Sequence, residues 1–281
     1  MLFDFSRFND ALRTSRIGRQ VAWFETIDTT MRVAREQAEA GAVDGTIIMA
    51  EEQTAGVGRR GRSFQSPPGE NLYFTVILRA PPELHARLPV VVPAAVCAAV
   101  RQTGVDARIK WPNDIWVGGK KLSGMLIDAT SGPDGLVAYL GIGMNVNGDP
   151  TEIPEIRDIA TSIANETNAD IDREELLASV CNELERHLTM TVEALGEAYR
   201  SMSLILGQTV TVSFADATTR DGVAARLNDD GGLVVRDPAG EVFTVTAGEV
   251  SLRPAITARQ LSLGEGLAPG PKAKPPRPKA R

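Results

Sequence analysis

The apolar pattern changes its period near residue 207, and this change limits the possible folds more than any other feature. Between residues 172 and 201, apolar residues recur at steps of three and four, which indicates a long amphipathic helix. Four short β-branched segments then occupy 209–214, 223–227, 233–236 and 242–246, with polar turns between them. Short strands at this spacing predict a small β-barrel. We therefore predict two folded units, residues 1–206 and 207–255, and a disordered Pro- and Lys-rich tail at 256–281.

The first unit contains strand patterns and helix patterns in one stretch of chain. Strands are predicted at 21–24, 46–50, 72–79, 108–111, 115–117, 121–128 and 136–143, and helices at 28–41, 88–102 and 172–201. Asp28 and Asp172 are residue types that cap helix N-termini, and the glycine at 41 ends the first helix. Residues 1–20 are predicted to form a polar lead-in, and His187 is expected to be solvated.

The overall charge limits the class of partner. A net charge of −6 argues against nucleic acid, because nonspecific binding to it requires a positive surface. The basic residues are nevertheless clustered locally, at Arg59, Arg60 and Arg62. An acidic protein with one cationic loop suggests a small anionic ligand.

No membrane segment or secretory signal is expected. The most apolar run, at 88–100, is interrupted by Pro89 and Pro93, and the N-terminus lacks a basic start followed by an apolar core. A cytoplasmic location is the resulting expectation. Cys97 and Cys181 are far apart in apolar surroundings, which predicts two buried, reduced thiols.

The loop at 53–62 reads QTAGVGRRGR and suits a phosphate-rich ligand. Glycines allow the backbone N–H groups to approach an anion, and arginines remain charged at neutral pH. The spacing is close to that of a phosphate-binding loop of ATPases, but Arg62 replaces the required lysine and a turn and strand follow. A P-loop ATPase is therefore rejected. A plain solvated surface loop remains an alternative on these residues alone.

Two further segments place polar groups beside strands. The segment KWPND at 110–114 displays a cation, an amide and a carboxylate on one short turn. Lys121 opens an apolar strand, so that its ammonium can project into a cleft. An ordinary β-turn and a charge that protects an edge strand are the alternative interpretations.

The segment GIGMNVN at 141–147 follows an apolar strand. Gly141 and Gly143 alternate, which removes the side chains from one face of the strand and leaves a flat floor for a ligand. It is not a dinucleotide fingerprint, because the third glycine and a following helix are absent from the pattern. Glycines required only for packing are the alternative.

These segments, in this order, resemble the catalytic domain of biotin–protein ligases over roughly residues 20–253. Three positions depart from the family pattern. Val57 stands where the arginine-rich loop usually has its first arginine, Met31 replaces an asparagine after two hydroxyl residues, and Phe64 replaces a tryptophan. Because the pattern begins near residue 21, the resemblance implies a short form without an N-terminal DNA-binding domain.

The resemblance also implies a fold and a reaction. The expected fold is α+β: a mixed, mostly antiparallel sheet with flanking helices, like the core of class II tRNA synthetases, followed by a small SH3-like barrel. The expected enzyme joins biotin to ATP to form biotinyl-AMP, and then transfers biotin to a lysine of a biotin carboxyl-carrier protein, with Mg²⁺ as cofactor. A lipoate–protein ligase and a noncatalytic regulator that binds biotinyl-AMP are the alternatives, and a homodimer is left open.

The family pattern assigns site residues by position. Catalytic roles fall to Lys121, Arg59 and Lys110. Biotin contacts fall to Thr29, Thr30, Gln53, Gly56, Val57, Lys121, Gly124, Gly141 and Gly143. Adenylate contacts fall to Arg59, Arg62, Phe64, Lys110, Asn113, Asp114 and Asn145. Mg²⁺ is expected to be held mainly by the ATP phosphates, with Asp114 as a possible ligand.

Overall fold

The computed structural model describes residues 3–58, 66–132, 135–214, 216–246 and 249–252. Its larger sheet has seven strands in the order β1-β2-β3-β7-β6-β5-β4. They are β1 Val21–Ile27, β2 Ile47–Gln53, β3 Leu72–Arg79, β4 Arg108–Lys110, β5 Asp114–Val117, β6 Lys120–Gly132 and β7 Gly135–Met144. Only β1 and β2 pair in parallel, and the other neighbours are antiparallel. This confirms the mixed, mostly antiparallel sheet.

The helices cover both faces of this sheet. They are α1 Phe5–Ala11, α2 Thr30–Glu39, α3 Pro82–Arg101, α4 Ile163–Thr167, α5 Arg173–Leu188 and α6 Val192–Met202. The main core lies between one sheet face and helices α1, α3, α5 and α6. A smaller core forms where α2, the crossover between the parallel strands, packs on the opposite face.

The alternation along β7 decides which residues face each core. Ala138, Leu140 and Ile142 enter the main core, while Val137 and Tyr139 enter the core under α2. Because successive side chains of a strand point to opposite faces, the two glycines at 141 and 143 lie on the α2 face. The bare stretch predicted from the sequence is therefore on the same side of the sheet as the start of α2.

Helix α3 begins at Pro82, earlier than the predicted 88–102. Pro89 and Pro93 are inside it, four residues apart, so both missing N–H groups fall on one side of the helix. Among the described residues, α3 is the one helix long and apolar enough to cross a membrane, and 61% of its most apolar stretch is buried within the molecule. Such burial is typical of a helix that packs in a protein core.

The predicted helix at 172–201 is two helices, α5 and α6, so that prediction was wrong. Thr189 ends α5, and the Thr191 side chain accepts a hydrogen bond from Ala194 N–H and caps α6. Threonine favours such caps because its hydroxyl replaces a helical backbone acceptor. The helical periodicity continues on both sides of this break, so the pattern did not reveal it.

Two expectations for buried residues were also wrong. The N-terminal lead-in contains α1, and its Phe8 and Leu12 are in the main core. His187 is fully buried, and its Nδ1 lies 2.8 Å from the Glu183 carbonyl oxygen. The cysteines are buried as predicted, and burial raises the pKa of Cys97 to about 12.

The C-terminal unit is a five-stranded antiparallel sheet in the order β11-β10-β9-β8-β12. Its strands are β8 Thr209–Ser213, β9 Thr219–Leu227, β10 Leu233–Arg236, β11 Val242–Val245 and β12 Glu249–Leu252. The first four were predicted, although β9 begins earlier. Trp111 of the larger unit is 4% exposed and packs into the core of this sheet, where its Nε1 donates to the Gly231 carbonyl at 2.9 Å. The two sheets are therefore joined at the 110–114 segment.

Candidate active site

A pocket opens on the α2 face of the larger sheet, above a floor of glycines. Gly124 of β6 is paired with Gly143 of β7, and Leu126 is paired with Gly141. Three of these four positions have no side chain, so the strand backbone is exposed to the pocket there.

The start of α2 forms a polar wall of the pocket. Thr29 caps the helix, in place of the predicted Asp28, by accepting a hydrogen bond from Met31 N–H. The Gln53 Oε1 atom accepts from both the backbone N–H and the hydroxyl of Thr30, at 2.9 and 3.1 Å. Thr75 in turn donates to the Thr30 hydroxyl at 2.9 Å. Thr30 and Gln53 are thus held in place before any ligand arrives.

Asp28 lies immediately before this wall. A hydrogen bond from the Arg32 guanidinium, with one from Thr29 N–H, lowers the pKa of Asp28 to about 2. The carboxylate therefore stays ionised at neutral pH, and Arg32 neutralises it. Because Arg32 balances the negative charge of Asp28, this carboxylate repels an anionic ligand at the start of α2 less strongly.

Lys121 lies in β6, which pairs with β5, and both its backbone and its side chain are held by contacts. Its Nζ atom is 2.7 Å from Asp114 Oδ1, and both side chains are partly exposed. Its N–H donates to the Ile159 carbonyl and its carbonyl accepts from Thr161 N–H. The turn that sets this strand in place contains Gly118 and Gly119, both with positive φ, as a tight hairpin requires.

The 110–114 segment supplies the neighbouring groups. Lys110 is paired across β4 and β5 with Asp114, and its Nζ lies 3.7 Å from the centre of the Trp116 ring. Asn113 lines the pocket and donates to the Met125 carbonyl at 2.6 Å. Asp114 thus neighbours two lysines, Lys110 in the sheet register and Lys121 through an ion pair, and Lys121 lines the pocket.

Buried polar groups support the segments behind the pocket. Asn145 is 8% exposed and donates through its side chain to the Thr161 carbonyl at 3.0 Å. Asn71 accepts from Val146 N–H at 2.8 Å. These bonds fix the course of the chain after β7 and bring residues 159–161 beside Lys121.

Most predicted site residues meet at this pocket. The lining includes Thr29, Thr30, Gln53, Val57, Asn113, Lys121, Gly124, Gly141 and Gly143. Gly56 is buried next to Val57 in the chain, and Asp114 contacts Lys121. Lys110 is paired with Asp114 in the sheet, and Asn145 donates to the Thr161 carbonyl. Arg59, Arg62 and Phe64 lie outside the described residues. Gly58, which directly precedes Arg59, lines the pocket together with Lys121.

The sequence did not predict the apolar side chains of the lining, those of Met31 and Leu126, which lie on the α2 face of the sheet. Leu126 could have been found from the sequence, because it is two residues beyond Gly124 on the same strand and so shares its face.

The described residues hold no cluster of three or more His, Cys, Asp or Glu side chains that could bind a metal. Asp114 is one carboxylate, and Lys121 is bonded to it. Mg²⁺ normally requires several oxygen ligands. The described residues therefore do not form a protein cage for Mg²⁺.

Comparison with known proteins places this pocket in a family. Residues 23–146 match the model of the biotin/lipoate A/B protein ligase family. The biotin–[acetyl-CoA-carboxylase] ligase of Paracoccus denitrificans is 33% identical over 204 residues, which are 67% of this chain and 83% of that protein. The chain belongs to this family. The bifunctional ligase/repressor BirA of Bacillus subtilis is 29% identical, over 84% of this chain and 75% of that protein.

A solved relative extends the likeness to the fold. The biotin protein ligase from Aquifex aeolicus in complex with biotin and ATP has a TM-score of 0.71 and 31% identity, covering 84% of this chain and 99% of that one. In this member of the biotin/lipoate ligase family, the glycine floor, Lys121, Val57 and Met31 line the same pocket.

Proposed function

We propose that this chain is a biotin–protein ligase, which activates biotin with ATP and transfers it to a lysine of a biotin carboxyl-carrier protein. The observation that carries the proposal is the composition of one pocket. A glycine floor for a flat ring, the fixed pair of Thr30 and Gln53, and the ammonium of Lys121 line the same space. The family membership and the Aquifex aeolicus ligase with biotin and ATP support the same reaction.

The first half-reaction brings two anions together. A carboxylate oxygen of biotin attacks the α-phosphorus of ATP, the bond from that phosphorus to the β-bridging oxygen breaks, and pyrophosphate leaves. Cations that neutralise the gathering negative charge lower the barrier. We assign this role to Lys121, Lys110 and Arg59. Lys121 is within reach because Asp114 holds its ammonium at the pocket wall.

The second half-reaction transfers the acyl group. The amine of the carrier lysine attacks the acyl carbon of biotinyl-AMP, the acyl–phosphate bond breaks, and AMP leaves while the amine gives up a proton. Asp114 is our candidate to orient that amine, because its carboxylate oxygen is 2.7 Å from the Nζ atom of Lys121, which lines the pocket. A labile adenylate must be kept from water, and we assign that role to the loop that follows Gly58.

The remaining contacts are proposals of the same kind. Thr29, Thr30 and Gln53 bind the ureido group, Gly56 and Val57 contact biotin through their backbone, and Gly124, Gly141 and Gly143 lie along it. Arg59, Arg62, Phe64, Lys110, Asn113 and Asn145 serve the adenylate. Asn145 acts indirectly, because its side-chain amide is bonded to the Thr161 carbonyl.

Several finer features also remain proposals. We propose that 207–255 closes into an SH3-like barrel and that Mg²⁺ arrives with the ATP phosphates. The tail at 256–281, predicted from the sequence to be disordered, lies outside the described residues. A cytoplasmic location, an absence of DNA binding and a possible homodimer are predictions as well.

The decisive experiment supplies purified protein with ATP, Mg²⁺ and biotin and measures pyrophosphate, followed by mass spectrometry of an added biotin carboxyl-carrier domain. We expect a mass increase on one lysine. Lys121→Ala should lower the rate on the order of 10²–10³-fold, the cost of removing one charge-stabilising group. Lys120→Ala is the matched control, because the neighbouring Lys120 does not line the pocket and its ammonium donates to the Arg157 carbonyl at 3.4 Å.

Lipoate in place of biotin tests the related activity. If the carrier is labelled with lipoate and not with biotin, the substrate is lipoate and the biotin proposal is wrong. Binding of biotinyl-AMP without pyrophosphate release or labelling would identify a noncatalytic regulator. Equal activity of the two lysine variants would contradict the role given to Lys121.

A further inference from the structure

A side chain from α2, that of Met31, occupies the space directly above Gly141 in the floor of the pocket. A Cβ atom at Gly141 would stand 2.7 Å from the Met31 sulfur and 3.2 Å from its Cγ. Both distances are well below the about 3.5–4.0 Å of ordinary contact. The thioether therefore occupies the space that a side chain at 141 would fill.

Met31 has little room to move elsewhere. It is 5% exposed and packs in the smaller core, which also holds Ile48, Ile77 and Tyr139. The open space next to it is the pocket that it lines. A side chain added at Gly141 would therefore push the thioether toward the ligand.

The position of Met31 in the chain indicates which part of a ligand it meets. It directly follows Thr30, whose hydroxyl is bonded to Gln53 at 3.1 Å, and all three residues line the pocket. If Thr30 and Gln53 receive the polar head of the ligand, the ring system that carries this head rests against Met31. A thioether has no hydrogen-bond donor and is only a weak acceptor, so this contact acts by shape and dispersion.

We propose that Met31 is a specificity-determining residue of this pocket: its thioether, seated over Gly141, sets the depth at which the bicyclic ring of the ligand rests. This inference rests on the proposed function and deepens it. It predicts that the effects of substitutions at Met31 and Gly141 on ligand binding are not additive. It also predicts that the two residues together favour a rigid two-ring ligand over one that lacks the sulfur-containing ring.

The test measures KM in pyrophosphate release with biotin and with desthiobiotin, which keeps the ureido ring and the acid tail but lacks the second ring. Gly141→Ala should raise the KM for biotin at least about tenfold, as expected for a methylene misplaced in an apolar pocket. Met31→Ala should deepen the floor and lower the preference for biotin over desthiobiotin at least about fivefold. Met31→Leu, which keeps most of the volume, should retain that preference.

The double variant Met31→Ala/Gly141→Ala separates this proposal from a merely structural role. We expect it to bind biotin better than Gly141→Ala alone, because the added methyl enters the space that the thioether has left. The biotin-induced rise in melting temperature gives a second readout in which each variant is its own reference.

The two proposals fail in different ways. If the wild-type protein releases pyrophosphate with biotin, but the two substitutions are additive and the preference is unchanged in Met31→Ala, the role of Met31 is refuted and the ligase proposal stands. If the wild-type protein does not use biotin, both proposals are refuted.

Discussion

Replacement of Arg173 by methionine is expected to lower the free energy of unfolding by about 3–5 kcal/mol. Arg173 lies at the start of α5, and its guanidinium donates to Glu51 of β2 at 2.8 and 3.3 Å and to the Asn71 carbonyl at 3.0 Å. The two charged side chains are only 6% and 7% exposed. Methionine would remove the charged partner of the buried Glu51 carboxylate and leave it the hydrogen bond from Trp23 Nε1 at 3.3 Å.

The magnitude follows from these contacts. Two hydrogen bonds between charged groups contribute about 1.5–3 kcal/mol each, and a buried charge without its partner is costly. Since a domain is stabilised by only about 5–15 kcal/mol in total, this loss is a large fraction. Replacing both charged residues, as in Glu51→Met/Arg173→Met, removes the isolated carboxylate and should recover more than half of the loss.

Urea unfolding followed by tryptophan fluorescence measures the effect, and Trp23 lies within the network. With a slope of about 2 kcal/mol per molar urea, the midpoint should fall by about 1.5–2.5 M. The matched control is Arg186→Met on the same helix, because Arg186 is 53% exposed and its pair with Glu183 should contribute no more than about 1 kcal/mol. Equal losses in the two single variants would refute the reasoning from burial.

Three further predictions concern other contacts. Trp111→Phe removes the hydrogen bond to Gly231 and should lower the free energy of unfolding by about 1–3 kcal/mol. It should also raise the KM for ATP, because the segment between Lys110 and Asn113 is no longer held by this bond. An unchanged KM in a folded variant would contradict this role. Tyr199→Phe should leave the urea midpoint unchanged or higher, since the buried Tyr199 hydroxyl has no partner among the described residues, and a clear loss would mean that it has one. Burial raises the pKa of Glu185, but hydrogen bonds from the backbone N–H groups of residues 15–17 outweigh this and hold it below its ordinary value. Its stabilising effect is therefore complete above about pH 4.3 and is lost as the pH falls through the lower folded value, so Glu185→Gln should flatten the acid side of the stability profile.

The strands of the larger sheet were predictable because their apolar runs end at glycines and polar turns. The prediction of β3 matches the structure at both ends. The strand order was not predictable from residue patterns, since β3 pairs with β7 through residues that are 58 to 72 positions apart. The two helices α5 and α6 were merged because a cap inside a continuous apolar stripe leaves the periodicity intact.

The pocket was predicted better than its supports. Glycines at 141 and 143 indicate a bare strand face by themselves, because strand alternation is local. The contact of Met31 with Gly141 and the burial of Trp111 in the second sheet join residues that are distant in sequence. A local sequence pattern does not predict a contact between distant residues. The family resemblance therefore predicted the pocket residues but not the contacts that position them.

The bonds that tie the first residues of the chain to α5 have a consequence for its synthesis. Asp4 N–H donates to Glu174, and Ser15 donates to Glu185, each across 170 positions. Translation runs from the N-terminus, so these early residues leave the ribosome long before their partners exist. Residues 4–15 therefore lack these contacts with α5 until that helix has been synthesised.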